Sequence, residues 1–124
     1  MKLVKANAEY IPFKDSTFDI VISFNSLDHV DDIDKTISEI KRVTKIGGLF
    51  LLITDCCHKS TFTEPQNFGW EVVEKFYPEF KTVLVKKLEK FGRKIYRSLE
   101  MNKEYDFNDN RKRYGLIVAK FIRN

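Results

Sequence analysis

Hydrophobic residues change their spacing between positions 18 and 53, and the changes predict a strand, a helix and a second strand. Phe18–Phe24 is a short apolar run without polar alternation, which is typical of a strand covered on both faces. From Ile33 onwards apolar residues recur every three or four positions, which predicts an amphipathic helix. Leu49–Ile53 is again a short apolar run. A connection of this length predicts that the two strands are parallel and that the crossover is right-handed.

Capping signals mark both ends of the predicted helix. Asp31 or Asp32 can accept hydrogen bonds from the free N–H groups of its first turn. Gly47 and Gly48 are expected to end the helix, because glycine adopts most easily the backbone angles through which the chain must turn there.

Two later segments predict strands that pair with each other. Val83–Phe91 is strand-like, and Tyr114–Ile122 is the last apolar run. Between them lies a long polar segment without good helical periodicity. Strands joined in this way suit an antiparallel pair at the edge of a mixed sheet. The predicted fold class is therefore α/β, with a parallel core and an antiparallel carboxyl-terminal strand pair.

Composition indicates a single domain, residues 1–124. The chain has 124 residues and 43% hydrophobic content, which is enough for a core of its own. No apolar run is long enough to cross a bilayer, and the first residues lack the apolar block of a signal peptide, so a cytoplasmic location is expected. Cys56 and Cys57 are adjacent, which is poor geometry for an ordinary disulfide and predicts reduced thiols.

Charge is distributed unevenly along the chain. Residues 7–39 contain two basic and eight acidic residues, a balance of −6, whereas residues 75–124 contain fourteen basic and six acidic residues, a balance of +8. Lysine and arginine neutralise phosphates, so the basic portion raises the question of a nucleic-acid partner. Its basic residues are interleaved with apolar ones along predicted strands, and no RNA- or DNA-binding module is recognisable. We therefore favour solvated sheet faces over nucleic-acid binding.

The segment from Asn7 to Asp55 carries a family pattern. It has an amide residue with Ala and Glu, then Ile-Pro-Phe, an acidic turn, Phe-Asp before a hydrophobic strand, a Leu-x-His element, a helix ending near Arg-Val-x-Lys-x-Gly-Gly, and a strand. The matching positions are Asn7, Ala8, Glu9, Ile11, Pro12, Phe13, Asp15, Phe18, Asp19, Leu27, His29, Arg42, Val43, Lys45, Gly47 and Gly48. In register over about forty-five residues, the segment resembles the middle of a class I S-adenosylmethionine-dependent methyltransferase of the small-molecule type.

The resemblance implies a truncated, Rossmann-like methyltransferase fold. In that family a glycine-rich loop and an acidic residue hold the cofactor, and both would lie upstream of Met1, because no glycine precedes Gly47. The strand Phe18–Phe24 would then lack its usual neighbour. We expect its edge to be covered either by Lys2–Ala6, which looks like the tail of a strand, or by the same edge of a second chain in a homodimer.

The resemblance also assigns residues to S-adenosylmethionine, the expected cofactor. Asn7 and Ala8 match positions that meet the adenine, although Asn7 stands where the family usually has Asp and equally suits a strand-ending turn. Phe24 and Asn25 match positions near the methionine moiety, at the carboxyl end of a parallel strand. Leu27 is expected to pack beside the adenine or ribose.

Three polar groupings have competing interpretations. His29 follows the first strand and has the chemistry of a general base, but a histidine there also serves as a structural hydrogen bonder. The acidic residues between 28 and 34 resemble a metal site, yet capping of the helix explains them more simply. The trio Cys56–His58 has no second pair to complete a tetrahedral site, so no metal is expected.

Phe68 and Trp70 begin a predicted short helix that Pro78 stops. These aromatic residues either wall a pocket for a small-molecule acceptor or pack in the core. The activity implied by the resemblance is transfer of a methyl group from S-adenosylmethionine to that acceptor, driven mainly by positioning. The alternative is a non-catalytic methyltransferase-like remnant that acts as a dimerising or partner-binding module.

Overall fold

A four-stranded mixed sheet organises the chain, which the computed structural model describes at residues 3–57, 62 and 65–124. The elements in chain order are β1 (Phe18–Phe24), α1 (Ile33–Val43), β2 (Thr44–Cys56), β3 (Phe80–Glu89), α2 (Ile95–Met101) and β4 (Gly115–Arg123). The strand order is β1-β2-β4-β3. β1 and β2 are parallel, whereas β4 is antiparallel to both β2 and β3. The predicted mixed sheet, with a parallel core and an antiparallel carboxyl-terminal pair, is confirmed.

Four phenylalanines form the centre of the core on one face of the sheet. Phe50, Phe76, Phe80 and Phe121 are almost completely buried, and their ring centroids lie between 4.9 and 6.2 Å apart. Phe76 comes from a 3₁₀-helical segment, Trp70–Phe76, which confirms a short helical turn before Pro78. This segment and α1 cover one face of the sheet, and the buried aromatic side chains hold them against it.

The beginning of α1 is as predicted, but its end is not. Asp32 caps the helix, its side chain accepting a 3.0 Å hydrogen bond from the Lys35 N–H. The expectation that Gly47 and Gly48 end the helix is wrong: α1 ends at Val43 and β2 begins at the next residue. Thr44 is already extended, and both its N–H and its hydroxyl donate to the Ile40 carbonyl.

The two glycines instead belong to an irregularity inside β2. Thr44 lies opposite Phe18, whereas Leu49 lies opposite Ile20, so β2 carries extra residues between these pairs. Gly47 takes a φ of 80° within this bulge. A Cβ on Gly48 would lie only 2.9 Å from the Asp19 carbonyl oxygen, so glycine permits the close approach of β1 and β2 there.

The expectation that β1 is covered on both faces is wrong. Ile20, Ile22 and Phe24 are each about half exposed, whereas the alternate residue Val21 packs against the core. β1 is an edge strand, and Val21 packs against the core cluster that contains Ile37 and Ile40 of α1. The apolar run correctly predicted a strand, but burial depends on neighbours that a sequence run does not specify.

The expected strand tail at Lys2–Ala6 is also not found. Residues 3–6 have no regular secondary structure, and Leu3 is largely exposed, while Lys2 lies outside the described residues. They therefore do not pair with the outer edge of β1.

The polar segment between β3 and β4 contains a helix that was not predicted. α2 spans only seven residues, Ile95–Met101. Its anchor is Ser98, whose buried hydroxyl donates to the Lys94 carbonyl at 2.8 Å and accepts from the Phe91 N–H at 2.9 Å. The helix therefore depends on a specific polar contact more than on an apolar stripe. Across the described residues, none of the helices has the length and apolar character needed to span a bilayer.

Candidate functional site

A pocket of about 170 Å³ lies between β1, α1 and the amino-terminal loop. Two of the five predicted cofactor residues, Ala8 and Leu27, line it. The other lining residues are Ile11, Val21, Ile22, Ser23, Ser26, Val30, Thr36 and Ile40. The lining is mainly aliphatic with a few hydroxyl groups, which suits a flat aromatic ring that has hydrogen-bonding edges.

The loop that carries Ala8 is held against α1 by an ion pair. Arg42 donates to the carbonyls of Phe13 and Ile11 at 2.7 and 2.9 Å, and Glu39 accepts from the Ile11 N–H at 2.7 Å. Glu39 and Arg42 are bonded to each other at 2.7 Å, and this hydrogen bond lowers the pKa of Glu39 below its usual value. Because the two side chains lie one turn apart on α1, the helix positions the wall of the pocket.

Asn7 is engaged in a local turn. Its side-chain oxygen accepts from the Glu9 N–H at 2.9 Å, and its carbonyl accepts from the Tyr10 N–H at the same distance. Glu9 in turn accepts from the Asp32 N–H at 2.6 Å, which ties this turn to the beginning of α1. The turn interpretation of Asn7 therefore describes its contacts, and contact with an adenine remains a prediction.

Phe24 and Asn25 lie where β1 ends, beside the carboxyl end of β2. Phe24 is half exposed and is paired with Ile53 of β2. Asn25 has a φ of 53° and donates its N–H to the Ile53 carbonyl at 2.7 Å. The loops that follow β1 and β2 consequently emerge at the same end of the sheet, which is where open parallel sheets bind ligands.

A single 3₁₀ turn, Leu27–His29, follows β1, and its three side chains differ in exposure. Leu27 and Asp28 are buried, whereas the His29 side chain is 41% exposed. His29 Nε2 lies 3.5 Å from the Asp28 carboxylate. A carboxylate beside a solvent-facing imidazole can orient the ring.

Gln66, which was not predicted as a site residue, connects the loop that follows β2 to the loop that follows β1. Its side-chain amide donates to the carbonyls of Val30 and Asp31 at 3.0 and 2.8 Å, and its backbone N–H donates to the Asp28 carbonyl at 3.3 Å. Its neighbours in sequence, Pro65 and Asn67, give no periodic signal, so only the folded contacts reveal this role.

The structure separates Phe68 from Trp70. Phe68 is almost completely buried in the core, and its carbonyl accepts from the Cys57 N–H at 2.8 Å. Trp70 is partly exposed and meets Tyr105 and Phe107 edge-on, with ring centroids 4.8 and 5.6 Å away. We call these three rings the aromatic wall. Tyr105 and Phe107 were missed, and their alternation within a polar stretch was the available signal.

Metal-ligating residues are not grouped in the described part of the chain: no cluster there contains three or more His, Cys, Asp or Glu side chains suited to an ion. Asp32 caps α1, as the capping interpretation requires. His58, the third member of the predicted trio, lies outside the described residues.

Comparison with known proteins gives a sequence match in the amino-terminal part. Residues 1–52 match the family model described as a methyltransferase domain. The chain is 43% identical over 51 residues to the sterol 4-C-methyltransferase strm-1 of Caenorhabditis elegans, covering 41% of this chain and 15% of that protein. It is 35% identical over 97 residues to the demethylmenaquinone methyltransferase of Geobacillus stearothermophilus, covering 74% of this chain and 38% of that protein. The chain thus spans well under half of these relatives.

Solved structures share the fold over nearly the whole chain. A geranyl diphosphate C-methyltransferase from Streptomyces coelicolor A3(2) aligns with a TM-score of 0.68 at 14% identity, covering 96% of this chain and 53% of that one. The [4+2]-cyclase SpnF aligns with a TM-score of 0.70 at 15% identity, covering 95% of this chain and 54% of that one. Because one of these proteins is named a cyclase, the shared fold alone does not fix the reaction.

The fold and the sequence match together define the class of protein. This is the α/β fold of the class I S-adenosylmethionine-dependent methyltransferases. Residues 1–52 match the methyltransferase domain model, and the structural likeness to a solved methyltransferase extends over 96% of the chain.

Proposed function

We propose that this chain, acting as one domain, takes part in the S-adenosylmethionine-dependent methylation of a small-molecule acceptor. The observation that carries the proposal is the aliphatic pocket lined by Ala8 and Leu27, two of the three residues that the family pattern assigns to the adenosine side of the cofactor. The sterol and demethylmenaquinone methyltransferases among the relatives lead us to propose an apolar ring compound as the acceptor. The aromatic wall offers such a compound a surface of matching chemistry.

The described residues fit the adenosine end of the cofactor. Leu27 contributes its buried apolar side chain to the pocket lining, Ala8 offers backbone groups at the pocket wall, and Phe24 and Asn25 are assigned to the methionine end. When bound, S-adenosylmethionine supplies a methyl group already activated on a sulfonium. The residues of this chain therefore have mainly to bind and orient the two reactants and exclude water.

A ligand-binding experiment with two alanine positions tests the proposal. We expect S-adenosylhomocysteine to raise the melting temperature of the wild-type chain, because a ligand that binds only the folded state stabilises it. Ala8→Glu places a charge at the pocket wall and should abolish the rise. Ala6→Glu, at a position that is also exposed but does not line the pocket, is the matched control and should keep the rise. Absence of any rise in the wild type at millimolar ligand would contradict the proposal.

We assign His29 the role of general base, which takes a proton from the molecule that receives the methyl group. Asp28 is its positioning residue. The assignment is supported by the 3.5 Å approach of the two side chains and by the exposure of the imidazole. His29→Gln should lower the turnover of an acceptor that loses a proton, and it should remove the corresponding limb of the pH profile. Binding of S-adenosylhomocysteine should not change. Unchanged turnover would indicate a structural histidine.

The second candidate function is a non-catalytic module that dimerises through β1. Among the described residues no strand pairs with the outer edge of β1, and the apolar face of this strand is half exposed. Two copies could join their β1 edges and extend the sheet. Analytical ultracentrifugation separates the candidates: a dimer that binds no S-adenosylhomocysteine supports the module, and a monomer removes it.

A further inference from the structure

Cys56 and Cys57 present their thiols side by side at the carboxyl end of β2. Neighbouring residues of a strand normally point to opposite faces. β2 ends at Cys56, however, and Cys57 takes a φ of 70°, so the two Sγ atoms lie only 2.8 Å apart. The Cys57 N–H donates to the Phe68 carbonyl at 2.8 Å, which holds this turn in place. Both cysteines are free thiols in the structure.

The two thiols have different surroundings. Cys56 is fully buried. Gly115 of β4 separates its thiol from the Trp70 ring, because a Cβ on Gly115 would lie 3.0 Å from Cys56 Sγ and against the ring. Cys57 is only partly buried. Reagents from solution therefore reach Cys57 first, whereas Cys56 is buried next to the aromatic wall.

The hydrogen bond between the thiols polarises the pair. It raises the pKa of Cys56, which burial raises further, and it lowers the pKa of Cys57. The thiolate is the reactive form of cysteine, so the accessible member of the pair is also the better nucleophile. An exposed attacking thiol backed by a buried partner is the arrangement required for a two-step exchange.

We propose that Cys56 and Cys57 form a reversible thiol–disulfide site that reacts with low-molecular-weight disulfides such as oxidised glutathione. The Cys57 thiolate attacks one sulfur of the disulfide, forms a mixed disulfide and releases one thiolate. Cys56 then loses its proton and attacks Cys57 Sγ, which releases the second thiol. The two cysteines lose two electrons and two protons in all, and one disulfide molecule is reduced to two thiols.

The product is a labile bond. Adjacent Cα atoms are about 3.8 Å apart, below the usual range of about 4.4–6.8 Å for a disulfide, so the small ring is strained and easily reduced. Strained disulfides are regulatory more often than structural. The site adjoins Trp70, so closing the ring alters the aromatic wall that we assign to the acceptor. The thiol chemistry itself requires neither cofactor nor acceptor.

The composition of the chain makes the test direct. The chain contains two cysteines and one tryptophan, so a disulfide within one chain can only join Cys56 to Cys57, and Trp70 reports on it. The full chain is incubated over a series of ratios of oxidised to reduced glutathione, free thiols are blocked, and intact masses are recorded. We expect the monomer to lose two hydrogens and to lose both blockable thiols. The Trp70 emission should change in parallel, and dithiothreitol should restore both signals.

Cys57→Gly is the control variant, because glycine accepts the left-handed backbone at this position. It should show neither the mass loss nor the emission change. The proposal is overturned if the wild type stops at a mixed glutathione disulfide, if only disulfide-linked dimers form, or if neither thiol reacts at any ratio. The wild-type masses decide between these outcomes even if the variant does not fold.

Discussion

The two edges of the sheet are built differently. The exposed positions of β3 include Lys81, Lys86 and Lys87, and the strand has an irregular register between Thr82 and Leu84. β1 has one charged residue, Asp19, and a half-exposed row of Ile20, Ile22 and Phe24. Lysines and bulges are the devices by which proteins keep an edge strand from pairing with other chains. β3 carries both devices along its length, whereas the exposed row of β1 is apolar and its one register irregularity lies at its first residues, between Phe18 and Ile20.

The carboxyl half of β3 is also covered by its own chain. Glu89 N–H donates to the Lys103 carbonyl at 2.8 Å, and Tyr105 N–H donates to the Lys87 carbonyl at 2.9 Å. Leu88 forms an isolated bridge with Glu104. No described segment does the same for β1. The difference indicates that the edge of β3 is partly hydrogen-bonded within the chain, whereas the edge of β1 is suited to pair with another strand.

A charge on the exposed row of β1 should change self-association more than the same charge on β3. If β1 joins a second copy, Ile20→Lys buries an unpaired charge in the interface and should weaken self-association by roughly a hundredfold. Leu84→Lys on β3 is the matched control, because the two residues are similarly exposed, at 53% and 45%. Sedimentation equilibrium measures both. Equal association constants for the two variants would show that β1 is not the interface.

The glycines near the ends of the strands give the next largest effect. Gly48→Ala should lower the free energy of unfolding by roughly 2–3 kcal/mol, because its Cβ would meet the backbone oxygens of Lys45 and Asp19 at 2.8 and 2.9 Å. Those oxygens cannot move without disturbing the start of the β1–β2 pair. Gly92→Ala, beyond β3, meets no atom within 4 Å and should lose about 1 kcal/mol from its positive φ alone. Urea unfolding compares the two, and equal losses would contradict the assigned contact.

The covered end of β3 depends on an ion pair. The Glu89 carboxylate accepts two hydrogen bonds from Arg113, at 2.6 and 3.0 Å, and one from the Asp106 N–H at 3.0 Å. Glu89→Gln should lower the free energy of unfolding by about 1.5 kcal/mol, since the charge-assisted hydrogen bonds from Arg113 to the carboxylate are lost. Glu100→Gln on the exposed side of α2 is the control and should change little. Equal effects in urea unfolding would remove Glu89 from this role.

The contrast between the edges also shows which features local sequence can predict. The bounds of β1 and the start of α1 follow from nearby residues, because strand and helix periods are local. The half exposure of Ile20 does not, because it depends on what lies beside the strand. The partners of Trp70 were missed for the same reason: Tyr105 lies on the same wall only after β3 and β4 have paired. The pocket residues Ala8 and Leu27 were found through the family pattern and not through periodicity.

The smallest expected effect is a pH dependence at the same ion pair. The hydrogen bonds from Arg113 lower the pKa of Glu89 in the folded chain below its unfolded value of about 4.3. The unfolded chain therefore binds more protons in acid, so this contribution is fully present above the unfolded pKa and is lost as the pH falls through the folded pKa. Measured by urea unfolding, the deficit of Glu89→Gln relative to wild type should shrink as the pH falls from about 6 to about 3. The other acidic residues titrate in both chains and cancel in this difference. A deficit that stays constant would mean that the carboxylate charge does not stabilise the covered end of β3, and the two edges would then differ in sequence but not in electrostatic support.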